Sequence, residues 1–246
     1  MRAITTLLLT SIAVLAQPAQ PPAFEVASIR TWQPGPESID IGPARLTMRS
    51  VTLAACIRWA YGVQDVQVVG PDWLHDTGFD IFAKSASEVN VGELRAMLQT
   101  LLAERFKLAV HRDSKEMTAL VLTVGKNGHK LEPTDTEGSP SLQRGKMGLI
   151  GKGATVGQMI DFVANVIRTP VIDQTGLTGL YNYVLDIEPY YTEESRKAAG
   201  PGGLPSDANA IIAVAMQKEL GIKVESKRVP VDVIVVDHVE KAPIEN

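Results

Sequence analysis

The chain has 246 residues, a net charge of −4, and 45% hydrophobic against 21% charged residues. That is the balance of an ordinary globular protein with room for two modest cores, and the lack of a basic stripe argues against a nucleic-acid partner, whose phosphates need clustered Lys and Arg. The single cysteine, Cys56, excludes an internal disulfide, and aromatics at 5% predict an aliphatic core.

Arg2 followed by the mostly apolar run Ala3 to Ala16, ending Val14-Leu15-Ala16, reads as a secretory signal peptide over 1–16. The run is shorter than the ~20 residues a membrane span needs. An exported protein, periplasmic or extracellular and with no transmembrane segment after cleavage, is therefore expected. No cysteine near the signal offers a lipidation site. Residues 17–23 form a Gln/Pro/Ala spacer.

Phe24 to Arg30 alternates and predicts a strand. A Pro/Gly loop is expected over Trp32 to Pro43, then a strand from Arg45 to Val51. Thr52 caps a short helix from Leu53 to Tyr61 that Gly62 ends, with Leu53, Cys56, Ile57 and Ala60 on its inner face. Short strands at Gln67 to Val69 and Phe79 to Ala83 flank a turn. Asn90 and Glu93 resemble a capping box for a helix with Leu94, Met97, Leu98, Leu101 and Leu102 on one face. Lys107 to Arg112 and Thr118 to Val124 read as a hairpin around Asp113 to Glu116. The polar stretch 126–145 reads as a linker.

Beyond it the pattern returns. Leu46 to Leu53 is echoed by Leu149 to Val156 at an offset of 103 residues, and Ala119 to Leu122 by Val233 to Val236 at an offset of 114. Thr155 again caps a helix, Val156 to Ile167, and a strand follows at Tyr181 to Ile187. A longer loop, Glu188 to Asp207, precedes a helix whose Ala208, Ile211, Ile212, Ala215 and Met216 take the places of the earlier five apolar positions. The fold class expected is α+β: two tandem copies of a β-α-β-β-α-β-β module, each an antiparallel or mixed sheet covered by helices. The first module would span 24–125 and the second 146–246.

Motifs for chemistry are sparse. His75, His111, His129 and His238 show no ligand spacing, so neither a metal site nor a cofactor is expected. Cys56 lies on an apolar helix face, where a thiol is an inert small hydrophobe. No nucleophile elbow or phosphate loop occurs, and no catalytic residue is assigned. Asp173 to Tyr181 is the most distinctive local run, and its plain reading is a double turn with Gly176 and Gly179 at positive φ. The candidate binding residues are Asp173, Thr175, Gly176, Gly179 and Tyr181 of this turn, together with Trp73, Tyr190 and Tyr191.

Phe24 to Arg30 (FEVASIR), Leu98 to Leu108 (LQTLLAERFKL), Asp173 to Tyr181 (DQTGLTGLY) and Val236 to Lys241 (VDHVEK) carry a resemblance across nearly the whole mature chain. The sequence resembles the soil-associated family of exported proteins of unknown function abundant in Acidobacteria. Thr31-Trp32 departs from the proline expected soon after the first strand. The resemblance implies export and supplies no catalytic residues. Relatives that look fused to membrane metallopeptidases of the penicillin-sensor type imply sensing or partner binding. The short helix opening at Thr52 is also similar to the small modules of secretins and TonB-dependent receptors, a likeness of fold alone.

The expected function is binding of a protein or cell-surface partner without catalysis. The alternative is an exported hydrolase with a site between the modules, drawing on Asp173, His111 and Tyr181. A titratable cleft would favour the hydrolase; an open sheet edge or apolar patch would favour the binder.

Overall fold

The structure is a computed structural model that describes residues 21–31, 35–135, 141–145, 148–199, 205 and 207–244. The expected signal peptide over 1–16, the first part of the spacer and Trp32 lie outside the described residues.

The first half runs β1 (Val26–Thr31), β2 (Ser38–Gly42), β3 (Arg45–Thr52), α1 (Leu53–Tyr61), β4 (Val68–Val69), β5 (Gly78–Lys84), α2 (Val91–Phe106) and β6 (Ala109–Val124). The second runs β7 (Glu132–Pro133), β8 (Ser141–Gly145), β9 (Gly148–Ala154), α3 (Val156–Ile167), β10 (Val171–Asp173), β11 (Tyr181–Asp186), α4 (Glu193–Ala199), α5 (Ala208–Ala215) and β12 (Ile222–His238). A π-helical turn, Met216–Leu220, continues α5. The helices α1, α2 and α3 start where their caps predict. The Thr52 hydroxyl accepts the Ala55 N–H, the Thr155 hydroxyl accepts the Gln158 N–H, and Asn90 and Glu93 form the reciprocal box. Gly62 ends α1 in the left-handed conformation.

The fold is α+β, with antiparallel and mixed sheets. One sheet has the order β1-β5-β3-β2 and another β7-β11-β9-β8. Strand for strand, the second order repeats the first. Leu46 pairs Ala83 as Leu149 pairs Leu185, and both ladders carry a bulge at the same place. At that bulge Ser50 (φ 53) and Gly153 (φ 57), 103 residues apart, each hold positive φ. Each N–H is taken by a side chain of the neighbouring strand: Ser50 by Asp80 at 2.8 Å and Gly153 by Asn182 at 2.9 Å. A left-handed residue costs about 1–2 kcal/mol in any residue but glycine, and the Asp80 bond offsets that at Ser50.

The third sheet, β10-β6-β12-β4, joins the two halves. β6 and β12 pair antiparallel along nearly their whole lengths, Ile222 with Val124 through Val236 with Val110. The short strands add at opposite ends: Val68 beside Ile234, and Val171 beside Leu120. The hairpin expected at 107–124 is thus one continuous strand. Asp113 to Glu116 mimicked a turn because all four are exposed, in the middle of a two-stranded ribbon. Pro230, opposite Glu116, fits there because among the described residues no third strand flanks it to need its missing N–H.

Three further expectations change. The loop of 32–43 contains β2, an edge strand, the linker of 126–145 contains β7 and β8, and the loop of 188–207 contains the helix α4. All four elements are short and polar or Gly/Pro-flanked, so periodicity barely marks them. Nor is either core closed within one half of the chain. The first core, with Leu46, Met48, Ile57, Leu98 and Phe106, takes Ile234 and Val236 from β12. The second, with Leu149, Ile160, Val163 and Leu220, takes Leu120 and Leu122 from β6. Gln64 adds a clamp, donating to the Val171 carbonyl at 2.6 Å and accepting the Val171 N–H at 2.8 Å.

Candidate functional site

The two similar sheets differ most at one edge. In the first, β1 pairs with all of β5 from Phe79 to Lys84, Thr31 opposite Phe79 and Val26 opposite Lys84. In the second, β7 pairs only with Tyr181 and Asn182. Among the described residues, no strand lies beside Tyr183 to Asp186 on the side away from β9.

The chain before β7 turns away from the sheet. The Lys130 N–H bonds the Leu220 carbonyl at 2.8 Å, and its ammonium donates to the Lys218 carbonyl at 2.7 Å. Leu131 is buried in the second core. Upstream, Gly125 donates to the Gly221 carbonyl at 2.8 Å. The two turns meet backbone to backbone: a Cβ on Gly221 (φ +68) would stand 2.5 Å from the Gly128 carbonyl oxygen. This packing ties the segment to the π turn instead of to β11. A π turn is rare and tends to mark functional sites.

A cleft of about 480 Å³ results, lined by Lys130, Glu132, Ile150, Gly151, Lys152, Asn182, Tyr183, Val184, Glu219 and Leu220. That is within the ~300–1,000 Å³ range of ligand pockets. Val184 is 58% exposed. The counterpart of Val184 in the first sheet, Phe82, is covered by Arg30 at 5.8 Å and Arg49 at 5.4 Å, and Arg30 belongs to β1. Below the cleft the Tyr183 ring lies over Gly151, where a Cβ would come within 2.4 Å of it. The Tyr183 hydroxyl is buried with no hydrogen-bond partner among the described residues, and burial pushes it up to about 12.

The residues singled out from sequence do not converge on one place. Asp173 accepts the Thr175 N–H at 2.8 Å and its hydroxyl at 2.7 Å, and Gly176 has φ +70, so this turn is held by its own groups. Gly179, expected at positive φ, does not hold it and packs under the Tyr181 ring, and Tyr181 is buried edge-on to His129 at 5.7 Å. The Tyr190 hydroxyl donates to Glu219, beside the cleft, and Tyr191 follows it half-buried. Trp73 packs against the other core, beneath the Lys241 ammonium at 5.4 Å.

The residues of the alternative hydrolase site stand apart. His111 meets Asp237 at 2.8 Å on the ribbon. Asp173, at the end of β10, sits beside Leu122 of β6, the strand that also carries His111. At ~3.3 Å per residue, His111 and Leu122 are roughly 35 Å apart. Cys56 is fully buried, and burial, with the charge of Glu37 second, raises its thiol to about 12. Among the described residues no cluster of His, Cys, Asp and Glu could hold a metal, and no helix is long and apolar enough to cross a membrane.

The edge was hidden from sequence reasoning because it is a missing partner, and a strand's partners are nowhere written in its own residues. The one available signal was that the second half carries no alternating run like FEVASIR where β7, the shortened counterpart of β1, forms.

DUF3738, a protein family of unknown function, matches residues 54–239, well over half of the chain, and the chain belongs to that family. No curated protein and no solved structure matches it.

Proposed function

We propose that this is an exported, non-catalytic binding protein, periplasmic or extracellular, built from two copies of one module and engaging a partner protein at the open edge of β11. The shared strand order, the paired bulges at Ser50 and Gly153 and the matched registers of β4 and β10 support the duplication. The copies are not independent, because their last strands cross. The single observation that carries the binding reading is the edge itself: one copy fills it with β1 and the other, among the described residues, pairs it only at Tyr181 and Asn182. An unpaired strand edge is a template for another chain, and proteins normally shield it.

Site-directed photo-cross-linking in the native host tests this. A cross-linker in place of Val184 should give one discrete adduct. The same group in place of Val214, another exposed apolar residue, should not. No adduct, or equal adducts at both positions, would sink the reading.

A further inference from the structure

We infer a second binding site, at the junction of the two copies: a cavity between α1, α2 and α3 takes a free α-amino acid, its carboxylate held by Arg95 and Arg58 and its ammonium by Asp161. The inference does not rest on the β11 edge. The cavity measures about 250 Å³, just under the ~300–1,000 Å³ of sites for drug-sized ligands, so its occupant is small. Arg58 and Asp161, 103 residues apart, hold the same position on the matching helices α1 and α3, and both line the cavity. The duplication has thus set a cation on one helix and an anion on its counterpart. Where α1 stops at Gly62, α3 runs on, and the matching residue is Asn165, which adds an amide beside Asp161.

These charges surround the cavity without closing it. Among the described residues Asp161 makes a salt bridge with neither guanidinium. Both still act on it: burial raises its carboxyl above the usual range, and the charges of Arg58 and Arg95 oppose the rise. Asp161 nonetheless keeps an exposed side, so it stands at the mouth, with Arg58, Trp59 and Arg95 half-buried. Arg58 pairs loosely with the half-exposed Glu37 at 3.6 Å. Arg95 has no carboxylate partner among the described residues, and its Nε is buried with no hydrogen-bond partner among them. Its guanidinium lies over the Trp59 ring at 5.7 Å and against Gly62, where a Cβ would stand 2.9 Å from Nη1. Held from two sides, the fork is preorganised for a carboxylate, which a guanidinium binds through two parallel hydrogen bonds. Gln64, clamping Val171 with both ends of its amide, fixes the junction beside it.

Charge balance selects the class of ligand. The two guanidiniums are offset by the carboxylates of Asp161 and Glu37. A simple anion would meet the repulsion of Asp161, and a simple cation that of the two arginines. A zwitterion satisfies both ends at once. Its carboxylate takes the Arg95 fork, with Arg58 as the second donor. Its ammonium donates to Asp161 and to the amide oxygen of Asn165. The small volume admits only a compact side chain, and Val63 offers it an apolar contact.

Calorimetric titration of the intact chain with each standard amino acid, up to about 1 mM, tests this. At least one should bind saturably, while the matching carboxylic acid without the amino group and the matching amine without the carboxylate should not. Arg95→Met, which keeps an apolar stem over Trp59, and Asp161→Asn should each weaken binding about tenfold or more. Arg95→Lys should recover only part of the loss, because an ammonium lacks the fork. A carboxylic acid that binds as tightly as its amino acid would overturn the zwitterion in favour of a plain anion site. Affinity unchanged in both charge-removing variants would place the ligand elsewhere, and no saturable binding by any amino acid would remove the site. If Arg95→Met does not fold, Asp161→Asn, at the exposed mouth, decides alone. The Val184 cross-link tests the β11 edge separately and is untouched by any of these results.

Discussion

Cys56 and Tyr183 show what burial does to a side chain that has nowhere to go. The Cys56 thiol, displaced from 9.0 to about 12, stays protonated in the native state under all ordinary conditions. A maleimide at pH 8 should leave it unmodified until denaturant is added, and rapid native labelling would mean that α1 presents a different face. Linkage gives the sign. Above pH 9.0 the unfolded thiol loses its proton while the folded one holds it until about 12, so its contribution is full below 9 and is lost as pH rises through that window. Cys56→Ala should start less stable, from the missing sulfur, and show a shallower alkaline decline in denaturant titrations. Tyr183 differs because its hydroxyl is buried without a partner among the described residues. An unsatisfied buried polar group costs about 1–3 kcal/mol, so Tyr183→Phe should melt at the same temperature or higher. A clear fall in melting temperature would reveal a bond to that hydroxyl.

Among the elements, the turn that vacates the β11 edge is the one most exposed to a single change. Gly128 and Gly221 both have positive φ, but a Cβ on Gly128 meets nothing within 4 Å, whereas one on Gly221 meets the Gly128 carbonyl at 2.5 Å. Gly128→Ala should therefore cost only the left-handed penalty, about 1–2 kcal/mol. Gly221→Ala adds a backbone clash that side-chain motion cannot relieve, and should cost more and loosen the π turn beside the cleft. Equal melting temperatures for the two variants would show that the turns are not in contact. At this scale the cap residues Thr52, Asn90 and Thr155 were legible, because a cap is a local pattern. β7 and β10 were not, because two or three residues carry no period.

For the whole molecule, the crossing of β6 and β12 makes each half dependent on the other. The first core lacks Ile234 and Val236 without β12, and the second lacks Leu120 and Leu122 without β6. Residues 21–125 expressed alone should show no cooperative unfolding transition, and adding 126–246 should restore one. Intact protein should unfold in a single step, with tryptophan fluorescence and far-ultraviolet circular dichroism coinciding. An independently folding first half would contradict the exchange of strands.

By itself the sequence determined the mixed α+β class, the capped starts of α1, α2 and α3 and the 103- and 114-residue correspondence, since caps, apolar faces and repeats are written in neighbouring residues. Even the bulge had its trace in that correspondence, as Ser50 and Gly153. What only the tertiary structure decided was pairing. Whether Asp113 to Glu116 turns back or runs on depends on β12, more than a hundred residues away. The same holds at β11: Tyr183 to Asp186 read as an ordinary alternating strand, and only the departure of 125–131 toward the π turn leaves its outer edge open. Strand hydrogen bonds are made between segments, so a free edge exists only once every other segment has found its place.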